Sequence, residues 1–68
     1  MYLFKDEMKN EVLSKYKIKY FADEIGITAI QMSRIINGKS KTSKPVAYLF
    51  TKLADNTKEI DYYFRKEK

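Results

Sequence analysis

The chain has 68 residues, which predicts a single domain (1–68) that buries only about 60% of the surface exposed when unfolded. It contains no Cys and no His, which excludes disulfides, the usual zinc ligand sets and an imidazole base. The longest apolar run, residues 46–50, is far too short to span a membrane. We therefore expect a cytoplasmic protein with no cofactor, metal or membrane partner.

The net charge of +5 is concentrated in the middle of the chain. Residues 15–52 carry eight basic and two acidic residues (+6), residues 1–14 carry two and three (−1), and residues 53–68 carry four of each. A basic middle between near-neutral ends is typical of a surface that faces a polyanion. The alternative is that the many Lys, Ile, Asn and Tyr residues reflect AT-rich coding, and charge alone does not decide between the two.

Two helices are predicted in the first part of the chain. Helix 1 spans Leu3 to Tyr16, with apolar residues at helical spacing at Phe4, Met8, Val12, Leu13 and Tyr16. Helix 2 spans Ile18 to Ile25, and its apolar face consists of Ile18, Phe21, Ala22 and Ile25. Gly26 follows as a left-handed C-terminal stop.

Three further helices are predicted after Gly26. Helix 3 has Thr28 as its N-cap and ends at Asn37-Gly38, and its inward residues are Met32, Ile35 and Ile36. Helix 4 opens at Ser43 with Pro45 in its first turn. Helix 5 opens with a capping box of Asn56 and Glu59, and its apolar residues are Ile60, Tyr63 and Phe64. No stretch alternates with period two, so we expect no strands and an all-α fold.

The residues around Gly26 indicate two short helices that cross closely. Ala22 is small, as a crossing position requires, and Gly26 permits the positive φ at which the chain reverses. Apolar residues fill the wedge between the helices, namely Phe21, Ile25, Ile27, Met32 and Ile35.

This pattern resembles the lambda-type repressor and Cro family, also called Xre-like regulators. The resemblance covers residues 16–64, and the matching residues are Phe21 to Thr28, Met32, Ile35, Asn37-Gly38, Leu53-Ala54 and Ile60 to Phe64. It implies a five-helix lambda-repressor-like domain in which helices 2 and 3 form a helix-turn-helix. It also implies sequence-specific binding of double-stranded DNA by a small transcriptional regulator of a phage or mobile element, with helix 3 in the major groove.

Two positions depart from the family pattern. The family commonly has a phosphate-contacting Gln where this chain has Ile18, so Lys17 or Lys19 is the candidate for that contact. The family also tends to place polar residues at the first outward positions of helix 3, where this chain has Ala29 and Ile30. These two residues could meet thymine methyl groups or could face a protein.

A helical wheel with Met32, Ile35 and Ile36 inward defines the outward face of helix 3. The candidate base contacts are Ala29, Ile30, Gln31, Ser33 and Arg34. Arg34 suits guanine through paired donors to O6 and N7, and Gln31 suits adenine through N6 and N7. The alternative is that these polar residues are ordinary solvated positions.

The candidate phosphate contacts surround helix 3. The family resemblance assigns Asn37 to backbone phosphate, and the following loop, residues 39–44, carries three Lys, three hydroxyl groups and no acid. The full set is Lys17, Lys19, Asn37, Lys39, Lys41 and Lys44. The alternative is that the loop is a solubilising connector.

Some tyrosines are candidates for exposure, where an aromatic residue often marks a partner surface. Tyr20 and Tyr62 fall away from the apolar stripes, and either Tyr62 or Tyr63 could form a homodimer contact through the C-terminal helix. Neighbouring carboxylates such as Asp23-Glu24 diverge by about 100° on a helix, so we expect no enzyme and no catalytic residue. The rival function is an inhibitor or antirepressor that binds another regulator protein through Ile30 and Tyr20.

Overall fold

The computed structural model describes residues 1–67, which form five α-helices and two short strands. In chain order the elements are β1 (Tyr2–Phe4), a single 3-10 turn (Asp6–Met8), α1 (Lys9–Leu13), α2 (Ile18–Ile25), α3 (Ala29–Ile36), α4 (Lys44–Ala54), α5 (Ile60–Tyr63) and β2 (Phe64–Lys66). Across these residues, no helix combines the length and the apolar character that a membrane crossing requires.

The prediction of an all-α fold is wrong, because the two ends of the chain pair as an antiparallel sheet. Phe4 lies opposite Phe64 and Tyr2 lies opposite Lys66. The backbone of Tyr2 also exchanges two hydrogen bonds of 2.8 Å with Thr42. Three residues per strand are too few for period-two alternation to stand out, which is why the sequence pattern gives no sign of the sheet.

The predicted helix 1, Leu3 to Tyr16, is wrong at both ends, because α1 spans only Lys9–Leu13 and residues 14–16 are not helical. Leu3 and Phe4 belong to β1, and the chain passes through extended Lys5 before the 3-10 turn and α1. Phe4 is apolar and stands at a position that fits the apolar stripe of a helix. In the structure its ring instead packs edge-on against Phe50 and Phe64, at centroid distances of 5.4 Å. Tertiary packing therefore outweighs the local pattern at this end.

The predicted capping box of helix 5 is also wrong. Asp55, not Asn56, orders the turn: its Oδ1 accepts hydrogen bonds from the Thr57 hydroxyl (2.6 Å) and the Thr57 backbone N–H (3.0 Å). These bonds hold the pKa of Asp55 below its usual value. α5 then begins after Glu59, which makes no side-chain cap, and Phe64 leaves the helix for β2.

A buried aromatic cluster joins the helices to the sheet. The rings of Phe21 on α2 and Phe50 on α4 stack at 4.2 Å, and Phe50 meets the edge of Phe64 at 5.4 Å. The other buried apolar residues are Phe4, Val12, Ala22, Met32, Ile35, Ile36, Ala47, Ala54 and Tyr63. One core thus holds α2, α3 and α4 against both strands.

Candidate nucleic-acid interface

Helices α2 and α3 have the predicted bounds and are joined by three residues, 26–28. Gly26 takes φ +91°, and Ala22 is buried. Thr28 caps α3: its Oγ1 accepts a hydrogen bond from the Gln31 backbone N–H (3.0 Å), while its own backbone N–H donates to Gln31 Oε1 (3.3 Å). This reciprocal pair fixes where α3 begins and how its first turn is oriented.

The outward face of α3 brings the predicted base-contact residues together. Met32, Ile35 and Ile36 are buried, as the wheel predicts. Their burial leaves Ala29, Ile30, Gln31 and Arg34 exposed, with Ser33 half-buried beside them. Ile30 is 74% exposed, the highest value among the large apolar residues exposed in the described part of the chain.

Gln31 is less available than the sequence suggests. Its side-chain oxygen accepts the hydrogen bond from Thr28, and that oxygen is the atom that would accept from the N6 amino group of adenine. This bond occupies one of the two lone pairs of the oxygen. Gln31 is therefore less free to turn towards an adenine edge than a side chain without the capping contact.

Arg34 is exposed and makes no ion pair within residues 1–67. It lines a cleft of about 320 Å³ together with residues of α3, of the following loop and of α4. Ile35 and Val46 are apolar lining residues, and Lys41 is a second cation in the lining. The five donors of the Arg34 guanidinium are not paired with a carboxylate of the described residues.

The loop of residues 39–44 is anchored to the end of α3. The backbone N–H groups of Lys39 and Ser40 donate to the Arg34 carbonyl at 2.8 and 3.2 Å. Lys39 and Lys44 are exposed, whereas Lys41 lies 3.7 Å from Glu67 Oε1. Thr42 is buried, so it adds no hydroxyl group to the surface. The loop thus offers two exposed lysines, Lys39 and Lys44, and a third, Lys41, that is paired with a carboxylate.

The lysines at the start of α2 differ in the same way. Lys17 is the exposed N-cap residue of α2, whereas the Lys19 ammonium lies 3.4 Å from Asp23 Oδ2 one turn later. Both members of that pair are highly exposed, so solvent screens it and the pair contributes little to stability. Lys17 is the stronger candidate for a phosphate contact.

Lys9 also belongs to this surface, which no pattern in the sequence predicts. Its ammonium donates a hydrogen bond to Asn37 Oδ1, and Asn37 Nδ2 donates to the Ser33 carbonyl at 2.8 Å. Lys9 belongs to the near-neutral segment 1–14 and lies 28 positions before Asn37, so no local pattern links them. The Lys9 ammonium therefore places a positive charge beside Asn37 at the end of α3.

The segment that carries α3 has no acidic residue of its own. Residues 25–54, which include α3, the loop and α4, contain five basic residues and no Asp or Glu.

Comparison of the chain with protein-family models, with curated proteins and with solved structures gave no match. Any assignment of function therefore depends on the chain's own residues.

The predicted aromatic partner surfaces are only partly exposed. Tyr20 is exposed and stacks on Tyr16 at 5.1 Å, whereas Tyr63 is 2% exposed and packs in the core. Tyr62 is half-buried, with the Lys58 ammonium 4.6 Å from its ring centroid. The homodimer contact through the C-terminal helix stays a prediction, and within the monomer only Tyr62 is accessible to make it.

Proposed function

We propose that this chain binds double-stranded DNA in a sequence-specific manner, with α3 in the major groove, and acts as a small cytoplasmic regulator of transcription without catalytic activity. The observation that carries the proposal is the outward face of α3, on which Ile30 and Arg34 are exposed. The segment around it, residues 25–54, contains no Asp or Glu. Resemblance to lambda-type repressors and Cro supports the same function and stays a prediction.

The lysines around α3 are suited to contacts with the DNA backbone, whereas α3 itself supplies the base contacts. Lys17 before α2, Lys39 after α3 and Lys44 at the start of α4 are exposed and suit phosphate oxygens. Lys9 adds a charge beside Asn37. Such contacts fix the register on the duplex and make affinity depend steeply on salt.

Arg34 is the side chain best suited to identify a base. It is the only Arg in residues 15–52, and its planar fork matches the O6 and N7 acceptors of guanine. Arg34 lies in the last turn of α3, on the face opposite Met32 and Ile35, which supports contact with a base edge.

The test is a direct binding measurement. Purified protein is titrated against a fluorescent random-sequence duplex at low salt, and bound sequences are then selected from a random duplex library. We expect binding to the random duplex, a steep loss with added salt, and enrichment of a short motif containing a G·C pair. No measurable binding at low salt would refute the proposal.

A second candidate function is binding to another regulator protein, as an antirepressor does. The exposed apolar residues Ile30, Tyr48 and Leu49 favour it, since charged DNA backbones offer them little. In that case the random duplex would not bind, and a protein that co-purifies with the wild-type chain would be lost with Ile30→Asp while the fold is retained.

A further inference from the structure

The first turn of α3 presents an apolar side chain where a DNA-reading helix would approach the base edges. In helix-turn-helix proteins the N-terminal residues of the second helix contact the bases. Here those residues are Ala29, Ile30 and Gln31, at the first three positions of α3.

Of these three, only Ile30 projects freely. Ala29 ends at its Cβ, and the Gln31 oxygen is bound back to the Thr28 backbone. Ile30 is 74% exposed and is not part of the buried core. An isoleucine left in water at the centre of a basic surface loses the favourable transfer free energy that a partner would supply.

The major groove offers one apolar feature that matches such a side chain. Base edges present hydrogen-bond donors and acceptors there, except for the C5-methyl group of thymine. We propose that Ile30 reads a thymine by contact with this methyl group, so that the preferred site holds a T·A pair within two base pairs of the base that Arg34 contacts. This inference rests on the proposed function.

The spacing of the two residues supports the placement of the two base pairs. Ile30 and Arg34 are four positions apart and lie on the same face of α3, about 6 Å apart along the helix axis. Base pairs stack about 3.4 Å apart, so this distance corresponds to about two base-pair steps. The polar and apolar contacts would therefore specify positions within two base pairs of each other.

The experiment removes one methyl group at a time from the DNA. In a duplex that wild-type protein selects from the random library, each thymine is replaced singly by deoxyuridine, which keeps every hydrogen-bonding group. Removal of the contacted methyl should weaken wild-type binding about fourfold, the equivalent of one buried CH₂ group. Ile30→Ala should bind the thymine and deoxyuridine duplexes with equal affinity.

Leu49→Ala is the matched control, since it also removes an exposed aliphatic side chain but from α4. It should keep the fourfold discrimination, provided that its circular dichroism spectrum shows an intact fold. The inference is overturned if wild type tolerates deoxyuridine at every position, or if Ile30→Ala still discriminates as wild type does. It is also overturned if Ile30→Ala leaves affinity for all duplexes unchanged, the result expected when Ile30 faces a protein. In each of these cases wild type still binds DNA, which separates them from failure of the proposed function.

Discussion

The ammonium group of Lys9 donates a hydrogen bond to Asn37 Oδ1 and so links α1 to the C-terminal end of α3. If Asn37 lies against a DNA phosphate, Lys9 brings its charge to the same place. Lys9→Met should weaken binding to all duplexes by a similar factor and reduce the slope of log K against log salt by about 0.9. Fluorescence anisotropy across a salt series measures both quantities.

The control for Lys9 is Lys5→Met. Lys5 lies in the same N-terminal segment, but its ammonium donates to the Asp61 carbonyl, away from α3. This variant should keep the wild-type salt slope. Equal slopes for wild type and Lys9→Met would show that Lys9 serves only to hold Asn37 in place.

Arg34 should determine one base pair of the preferred site. Arg34→Ala should lose about 1–3 kcal/mol on the selected duplex and relax selection at one position, with little change on a scrambled duplex. Arg34→Lys, which keeps the charge without the fork, should also lose that selection. Equal losses on the two duplexes would make Arg34 a phosphate contact instead.

The three loop lysines should contribute unequally. Lys39→Gln with Lys44→Gln should lower the salt slope by about 1.8, because two unencumbered cations are removed. Lys41→Gln should lower it by less, since Glu67 already neutralises part of that charge. Glu67→Gln, measured in the same salt series, should raise affinity. A double variant with an unchanged slope would reduce the loop to a connector.

Ala22 is buried on α2, which packs against α3. Ala22→Leu should overpack this contact and destabilise the fold by about 1–3 kcal/mol. Ala29→Leu makes the same change at an exposed position of α3 and should alter stability by less than about 0.5 kcal/mol. Urea denaturation followed by circular dichroism compares them, and similar midpoints for both would contradict close packing at Ala22.

Tyr63 should make the fold sensitive to alkaline pH. Burial raises the pKa of its hydroxyl to about 12, and the carboxylates of Glu11 and Asp55 add to the effect. The folded state thus holds this proton more tightly than the unfolded state, whose tyrosine ionises near 10. The stabilisation is complete below pH 10 and is lost as the pH rises towards about 12.

Melting temperatures measured across that interval test the effect. Tyr63→Phe should flatten the alkaline decline, because no proton remains to be lost at that position. Tyr62→Phe, the neighbouring substitution, should keep the decline. If Tyr63→Phe and wild type decline in parallel, the loss of stability at high pH has another origin.

The central part of the fold could be predicted from the sequence because its signals are local. Gly26 and Thr28 stand at fixed distances from the apolar stripes of α2 and α3, so the bounds and the exposed face of α3 follow from helix geometry. The outward positions of Ile30 and Arg34 were predictable for the same reason.

The rest depends on contacts between distant positions. Strand β1 was mistaken for the start of a helix, because Phe4 fits either pattern until its partners Phe50 and Phe64 are known. The pairings of Lys9 with Asn37 and of Lys41 with Glu67 likewise join separate parts of the chain. Composition indicates a basic surface, but it does not show which of its lysines are paired with a carboxylate.

The pairing of β1 with β2 has a consequence for how the molecule folds. Phe4 and Phe64 are sixty positions apart, so the sheet closes a loop that contains every helix. Contacts between α2 and α3 span few residues and can form early, whereas closure of the long loop carries a large entropy loss and slows folding. We therefore expect a refolding rate below that of purely helical domains of this size, with the last step limited by the meeting of the two chain ends.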